Sequence, residues 1–321
     1  MQTRTLGRTG LTVSVLGFGC GAVGGLMVRG DPADQERAVA LAIERGINYF
    51  DTAPQYGDGQ SERNLGRVLG KLRPDVIVGT KLRLKPAEKT GIAGAVAAGM
   101  EASLQRLGRD RVDLYQLHNP ITADGSGESL TPRSVLEEVV PAFEALRRQG
   151  KTRWLGITAI GDTAALHAVI DAGLFDTAQV PYNLLNPSAG GAMPPGSSGQ
   201  DYGDLLGRLQ RAGMGAIGIR VLAGGALSGS AERHPIAGPP PEPIGSGPDY
   251  AADVARAQTL LPLVREGHAE TLAEAAIRFA IGHPAMSTTL IGIATPAQFE
   301  AAVRGAEKGP LPQAALWRPL P

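Results

Sequence analysis

The stretch Asp31-Pro32-Ala33-Asp34-Gln35-Glu36-Arg37-Ala38-Val39-Ala40-Leu41-Ala42-Ile43-Glu44-Arg45-Gly46-Ile47-Asn48-Tyr49-Phe50 reads as one helix running straight into one strand. Asp31 offers a side-chain oxygen to the first free helical N–H groups, Pro32 sits where no N–H is needed, and Val39, Ala42 and Ile43 form an apolar stripe. Arg45-Gly46 closes the helix, and Ile47 to Phe50 continues at once as a strand. The same unit recurs outward along the chain. A strand over 15–20 comes first. Then follow a helix over 62–72 and a strand over 76–79, a helix over 92–107 and a strand over 112–117, and a helix over 132–149, kinked at Pro141, with a strand over 154–158. Helix 164–172 with strand 177–180, helix 202–212 with strand 216–221, helical material over 250–282, strand 289–293 and helix 296–306 complete eight repeats.

Eight buried parallel strands, each followed by helical chain, predict an α/β fold of the (β/α)8 TIM barrel type, with the whole of 1–321 as one domain. Residues 5–13, with Gly7 and Gly10 in the turn, predict an added N-terminal β-hairpin that plugs the barrel floor. Two Pro/Gly-rich segments, 186–200 and 228–249, are too irregular for elements and are expected to be long βα loops that cover a site.

Lys plus Arg and Asp plus Glu both number 31, which excludes nucleic-acid or membrane-surface binding through a basic field. With 44 Gly and 24 Pro the chain is turn-rich, yet its 43% hydrophobic content is that of a packed protein. The one cysteine, Cys20, and the lack of an apolar leader point to a reducing cytoplasm, and no apolar run reaches the ~18 residues of a membrane span. Gly19-Cys20-Gly21-Ala22-Val23-Gly24 matches a dinucleotide fingerprint. Residues 25–30 do not read as a helix start, however, so the run is expected to be the loop after the first barrel strand. No metal-ligand spacing occurs among His167, His234, His268 and His283, and Cys20 lacks a neighbouring base.

In such barrels the C-terminal strand ends carry the chemistry. Strand two ends at Asp51, strand three at Lys81 and strand four at His118, and the loop after strand two carries Tyr56. Asp51 beside Lys81 would keep the ammonium charged, and the cation would ease ionisation of the Tyr56 phenol. A phenol so tuned can protonate a carbonyl oxygen as a hydride reaches carbon, with His118 giving a second hydrogen bond; the hydride must come from a cofactor.

The run Asn48-Tyr49-Phe50-Asp51-Thr52-Ala53-Pro54-Gln55-Tyr56-Gly57-Asp58-Gly59-Gln60-Ser61-Glu62, with Val78-Gly79-Thr80-Lys81 and Tyr115-Gln116-Leu117-His118, resembles the aldo-keto reductase family over essentially the whole chain. The resemblance implies a barrel enzyme that uses NAD(P)H to interconvert a carbonyl and its alcohol, with Asp51, Tyr56, Lys81 and His118 as catalytic tetrad. It implies cofactor contacts at Gly19, Cys20, Asp51, Thr158, Gln179, Arg220, Leu222, Gly225, Leu227, Gly229, Gly292 and Gln298. Three departures matter. Thr158-Ala159 stands where Ser-Asn often holds the nicotinamide amide, leaving more of that contact to Gln179, and Ile219 replaces the stacking aromatic. Gly292 and Gln298 occupy the places of the Lys/Arg pair that clamps a 2′-phosphate; the family implies NADPH, and their absence makes NAD(H) a candidate.

Arg220 can meet a pyrophosphate or a polar substrate. With only 6 Phe, 6 Tyr and 2 Trp, an aromatic cage is not expected, and Asn119, Asn183 and Asn186 are expected to face a hydroxyl-rich small molecule. Arg4-Thr5-Leu6-Gly7-Arg8-Thr9-Gly10 and Tyr182-Asn183-Leu184-Leu185-Asn186-Pro187 resemble the branch of aldose and L-galactose-type dehydrogenases. Two other functions remain in view: a cofactor-binding regulatory protein of the potassium-channel β-subunit type, and a barrel aldolase using Lys81 as a Schiff base.

Overall fold

The computed structural model describes residues 1–193, 197 and 199–316. It opens with an antiparallel hairpin, β1 (Thr3–Thr5) and β2 (Thr12–Ser14). Eight parallel strands follow: β3 (Leu16–Gly19), β4 (Tyr49–Asp51), β5 (Ile77–Leu82), β6 (Val112–Leu117), β7 (Thr152–Thr158), β8 (Thr177–Pro181), β9 (Gly215–Ile219) and β10 (Met286–Gly292). They close into a barrel in the order β10-β3-β4-β5-β6-β7-β8-β9, each pairing with its chain neighbour. Helices wrap the outside, and Val39, Leu65, Val96, Phe143, Leu166, Leu206, Ile277 and Phe299 are buried in the layer between the two. Each such side chain contributes about 1.5–3 kcal/mol on leaving water.

Local chemistry sets the element ends much as expected. The helix Pro32–Glu44 is capped by Asp31, whose side chain accepts from Ala33 N, with Pro32 in its first turn. The hairpin does close the barrel floor: Leu6 and Val13 pack with Tyr49, Leu114, Ile217 and Leu290 in a separate apolar cluster. A Cβ on Gly215 would stand 2.7 Å from Leu6 Cδ1, so glycine there makes room for the plug.

Helical chain over 250–282 divides into Tyr250–Gln258, Pro262–Arg265 and Leu272–Gly282, the strand expected over 216–221 ends at Ile219, the one expected over 289–293 begins at Met286, and three further differences have a local cause. The helix expected over 132–149 is not simply kinked: one turn, Pro132–Ser134, passes through a π turn, Val135–Val139, into Val140–Arg148. Pro141 has no N–H and its ring crowds the carbonyl four residues back, and a wider turn relieves both. The segment after the glycine-rich loop forms a single helical turn, Leu26–Arg29, with Gly25 at φ 90° at its start, where no helix was expected. The helix expected from 202 begins at Leu205, because Asp204, at φ 54°, turns the chain and accepts from Gly207 N.

Of the two long loops, 186–200 is described only in part, since residues 194–196 and 198 lie outside the described residues. The other, 228–249, crosses the barrel mouth and is tied to the loop after β3. Arg233 Nη2 and Gly238 N both donate to Val23 O, at 3.0 and 3.2 Å, and Arg233 Nη1 donates to Gly224 O at 2.7 Å. Arg29 completes the tie by donating from Nε to Ile236 O and from Nη2 to Ala22 O, both at 2.7 Å. Among the described residues no helix is long and apolar enough to cross a membrane, and no cluster of His, Cys, Asp or Glu is arranged to hold a metal.

Candidate active site

The C-terminal end of the barrel opens into a cavity of about 850 Å³. Asp51, Tyr56 and His118 line it, and Lys81 lies beneath them with no exposed surface. Strand register places these groups: Asp51 ends β4 beside Gly79 of β5, Lys81 lies on β5 beside Gln116 of β6, and His118 N donates to Leu82 O at 2.7 Å. Tyr56 is fixed differently. The turn after it runs through Gly57, Asp58 and Gly59 at φ 63°, 49° and 81°, a left-handed run that two glycines adopt without strain and that aspartate tolerates.

The helix that follows anchors this turn. Ser61 Oγ donates to Cys20 O and contacts Thr52 Oγ1, both at 2.9 Å. The buried Glu62 carboxylate accepts from Thr80 Oγ1 at 2.6 Å and from Arg106 Nε at 2.5 Å. Ser61 and Glu62 therefore belong to the scaffold that holds Tyr56.

Lys81 Nζ is the hub of the site. It pairs with Asp51, donates to Thr52 O at 2.8 Å and reaches Tyr56 Oη at 3.3 Å. Burial alone would pull the ammonium down, but Asp51 and Tyr56 outweigh it, and Lys81 ends above its ordinary value. A lysine so charged has no lone pair to offer a carbonyl, which removes the ground for the Schiff-base reading. Lys81 does ease Tyr56 ionisation as expected, but burial outweighs it. Burial pushes the phenol up, Lys81 opposes it, Asp51 adds to the rise, and the net shift is upward. Tyr56 is thus a neutral phenol, a donor of its proton. The ring of His118 meets that of Tyr56 edge-on, centroids 6.3 Å apart. Burial first, then the charges of Lys81, Arg83 and Arg220, push the imidazole down to about 3, so it is neutral near pH 7.

Asp51 has more partners than sequence reasoning supplied. Besides Lys81, its Oδ2 accepts from Tyr49 Oη at 3.0 Å, Gln116 Nε2 at 3.0 Å and Gln179 Nε2 at 2.8 Å. Burial, reinforced by Asp51, pushes the Tyr49 phenol well up, so it too stays a donor. Small neighbours make this buried polar layer possible: a Cβ on Gly79 would lie 2.8 Å from Tyr49 Oη and 3.3 Å from Gln116 Nε2, and one on Gly156 2.9 Å from Gln116 Cγ. The available signal was a polar residue inside an apolar strand, as in Leu114-Tyr115-Gln116-Leu117.

Of the expected cofactor contacts, Gly19, Cys20, Asp51, Gln179, Arg220, Leu222, Gly225, Gly292 and Gln298 line the cavity. Three others, Thr158, Leu227 and Gly229, are not among the residues that line it. Thr158 is fully buried under His118, its Oγ1 2.7 Å from the imidazole Nδ1. Leu227 is buried in the core, and Gly229 ends a 3-10 turn at φ 78°. Gln179 reaches the cavity with its amide nitrogen already bound to Asp51.

The three asparagines expected to face the substrate do not line the cavity either. Asn119 Nδ2 donates to Leu84 O and Glu128 O while Oδ1 accepts from Leu84 N. Asn183 Nδ2 donates to Arg220 O and its Oδ1 accepts from Leu185 N and Asn186 N. Asn186 Nδ2 binds Gln200 O and Gly245 O while Oδ1 accepts from Ser188 N and Oγ. All three are buried loop clamps whose amides are spent on backbone and a serine hydroxyl. The cavity wall instead carries charged groups that no periodicity signalled: Arg83, Arg233, Glu270 and Glu274.

Comparison with known proteins gives a consistent picture. The sequence model described as "Aldo/keto reductase family" matches residues 15–316. The chain is 30% identical over 308 residues to L-galactose dehydrogenase of Arabidopsis thaliana, covering 94% of this chain and 86% of that protein. It is 30% identical over 205 residues to the NADH-specific methylglyoxal reductase of Escherichia coli K12, covering 58% and 60% respectively. Among solved structures, the holo form of aldo-keto reductase AKR11C1 from Bacillus halodurans superposes with a TM-score of 0.71 at 26% identity, covering 98% of this chain and 94% of that one.

Proposed function

Because the chain belongs to the aldo/keto reductase family, and is thereby an NAD(P)-dependent oxidoreductase of carbonyl compounds, we propose that Tyr56 is its general acid, held by Lys81 and Asp51 and assisted by His118. The observation that carries the proposal is the single ammonium of Lys81, bonded to Asp51, to Thr52 O and to Tyr56 Oη.

The residues around the cavity fit a nicotinamide dinucleotide. The cavity is apolar in places, a Cβ on Gly21 would stand 4.0 Å from the Tyr56 ring, and Gly224 and Gly225, at φ 69° and 112°, line it without adding side chains of their own. The cofactor, when bound, supplies the hydride. Every other part of the reaction falls to this chain. Tyr56 Oη passes its proton to the carbonyl oxygen, Lys81 stabilises the phenolate left behind, and Asp51 keeps Lys81 charged and aimed. Thr158 holds the neutral His118 ring so that its Nε2 faces the substrate oxygen. The 228–249 loop, stapled across the mouth, excludes water from the charged groups.

NADH is the favoured cofactor. Where a 2′-phosphate needs an unpaired cation, the wall offers Gly292 and Gln298, while Arg304 pairs with Glu300 at 3.1 Å and Lys308 with Glu270 and Glu274 at 2.6 and 2.9 Å. The relative named as NADH-specific supports the same reading. The test is a fluorescence titration of NADH and NADPH into wild type and Tyr56→Phe, followed by turnover of an aldehyde panel. NADH should bind both proteins alike, with turnover reduced about 10²–10⁴-fold in the variant. Retained turnover in Tyr56→Phe overturns the acid assignment, and tighter NADPH overturns the cofactor reading.

A further inference from the structure

With the asparagines engaged elsewhere, the mouth of the site is described by its charges. Lys81 is neutralised by Asp51, and Arg83 is paired with Glu128 at 2.6 Å. Arg233 is spent on the carbonyls of Val23, Gly224 and Gly238. Arg106 and Arg278 have carboxylate partners in Glu62 and Glu274, and Arg4 is spent on the carbonyls of Ile281, His283 and Met286. Arg220 differs. Among the described residues no carboxylate lies within ion-pair distance of it, and its guanidinium makes one hydrogen bond, Nη1 to Glu242 O at 3.1 Å.

The local backbone holds that guanidinium at the cavity. Arg220 follows β9 at φ 56°, and its carbonyl accepts from Asn183 Nδ2 at 2.9 Å and from Ala223 N at 2.7 Å, so the left-handed turn is pinned from two sides. A Cβ on Gly224 would come within 3.3 Å of Nη1; glycine leaves the space for it. The charge is felt at the reacting groups, since Arg220 contributes to the lowering of His118 and is itself influenced by Tyr56. A half-buried cation that faces the cavity, with no carboxylate at ion-pair distance among the described residues and Asp253 acting on it only from farther off, can meet an anion arriving with the carbonyl.

We propose that Arg220 selects carbonyl substrates that carry an anionic oxygen group, a carboxylate or a phosphate monoester, anchoring that group while the carbonyl oxygen lies against Tyr56 and His118. This inference rests on the reductase reading above and names its substrate class. Atoms balance as in any carbonyl reduction: the carbonyl carbon takes the hydride, its oxygen takes the Tyr56 proton, the cofactor is oxidised, and the anionic group is unchanged. The guanidinium fork matches either anion in a two-point contact, which fixes the distance between anion and carbonyl and so excludes substrates by reach as well as by charge.

The experiment compares matched pairs: 4-carboxybenzaldehyde against methyl 4-formylbenzoate, and glycolaldehyde phosphate against glycolaldehyde, in wild type, Arg220→Gln and Arg220→Lys. For one pair or both, wild type should favour the anionic member in kcat/KM by about 10- to 100-fold, the size of a charge-assisted hydrogen bond to a desolvated partner. The pair that shows it identifies the anion. Measured at saturating NADH, so that any effect on the cofactor cancels within each pair, Arg220→Gln should bring the ratio close to one by raising KM for the anionic member above that of its neutral partner, and Arg220→Lys should keep part of the preference. A wild-type ratio near one in both pairs overturns the proposal. So does an Arg220→Gln that weakens NADH and slows all aldehydes equally, since Arg220 would then serve the cofactor. Calorimetric titration of 4-carboxybenzaldehyde and its methyl ester into the protein reads the anchor without turnover. Selective binding without any reduction would defeat the reductase reading and leave the anchor standing, while reduction of both members alike would do the reverse.

Discussion

Thr158→Val is the substitution that most sharply separates two accounts of this site. The family resemblance implies that residue 158 touches the cofactor, but the structure buries its hydroxyl 2.7 Å from His118 Nδ1 and 3.4 Å from Gln179 Oε1. A hydroxyl has one proton to give. The longer contact lies outside the ordinary O–H···O range, so the proton goes to Nδ1. The neutral imidazole, held down at about 3, then carries its own proton on Nε2, where a carbonyl oxygen can receive a hydrogen bond from it. Valine has the same shape without the hydroxyl and leaves a buried ring nitrogen unpaired, at about 1–3 kcal/mol. The tautomer with the proton on Nδ1 becomes competitive, and in that form Nε2 repels the substrate oxygen. Carbonyl-reduction kcat/KM should therefore fall about 10- to 100-fold, with NADH affinity unchanged and Thr158→Ser restoring most of the rate. Stopped-flow reduction kinetics combined with a fluorescence titration of NADH decides the matter. If NADH binding weakens tenfold while kcat at saturating cofactor is preserved, residue 158 is a cofactor ligand and the tautomer argument fails.

The layer beneath the site gives two further tests. Tyr49→Phe and Gln116→Leu each remove one donor from the Asp51 carboxylate, and each should cost about 1.5–3 kcal/mol of stability in urea melts, with a larger loss in the double variant; no change in either melt would mean that Asp51 is held by Lys81 alone. His118 sets a pH dependence of stability. Its folded value is lowered from 6.5 to about 3, so the unfolded chain binds the extra proton as pH falls through 6.5 and stability declines from there to about 3. His118→Gln should flatten that part of the stability profile, and an identical profile in the variant would refute the assignment of a buried neutral ring.

Much of the barrel was legible because helix and strand periods differ and the alternation is regular, from the Asp31 cap through to Thr295, which caps the last long helix through Gln298 N. The meeting of Asp51, Tyr56, Lys81 and His118 at the barrel mouth was legible for a related reason: a charged group at the end of an apolar strand has few places to go except the rim. The asparagines were not, because sequence shows a polar side chain but not whether a backbone carbonyl already occupies it. Tyr49 and Gln116 were hidden for the opposite reason. They lie within strands that read as apolar: Tyr49 precedes Asp51 by two residues on the same strand, and Gln116 stands two strands away beside Lys81, yet both donate to the Asp51 carboxylate. The π turn ahead of Pro141 shows a third limit, since the residue signals trouble for a helix but not how the chain absorbs it.

The two arginine staples across the mouth bond to main-chain oxygens, at Ala22, Val23, Gly224, Ile236 and Gly238, and to the side chain of Tyr250. A closure written in carbonyls is nearly blind to which residues carry them. The side chains of Ala22, Val23 and Ala237, which line the cavity, are thereby released to vary, and new substrate tastes can be tried there without reopening the roof. Arg29 and Arg233 have no such licence: change either, and the loop loses its fastening however well the rest of the wall is preserved.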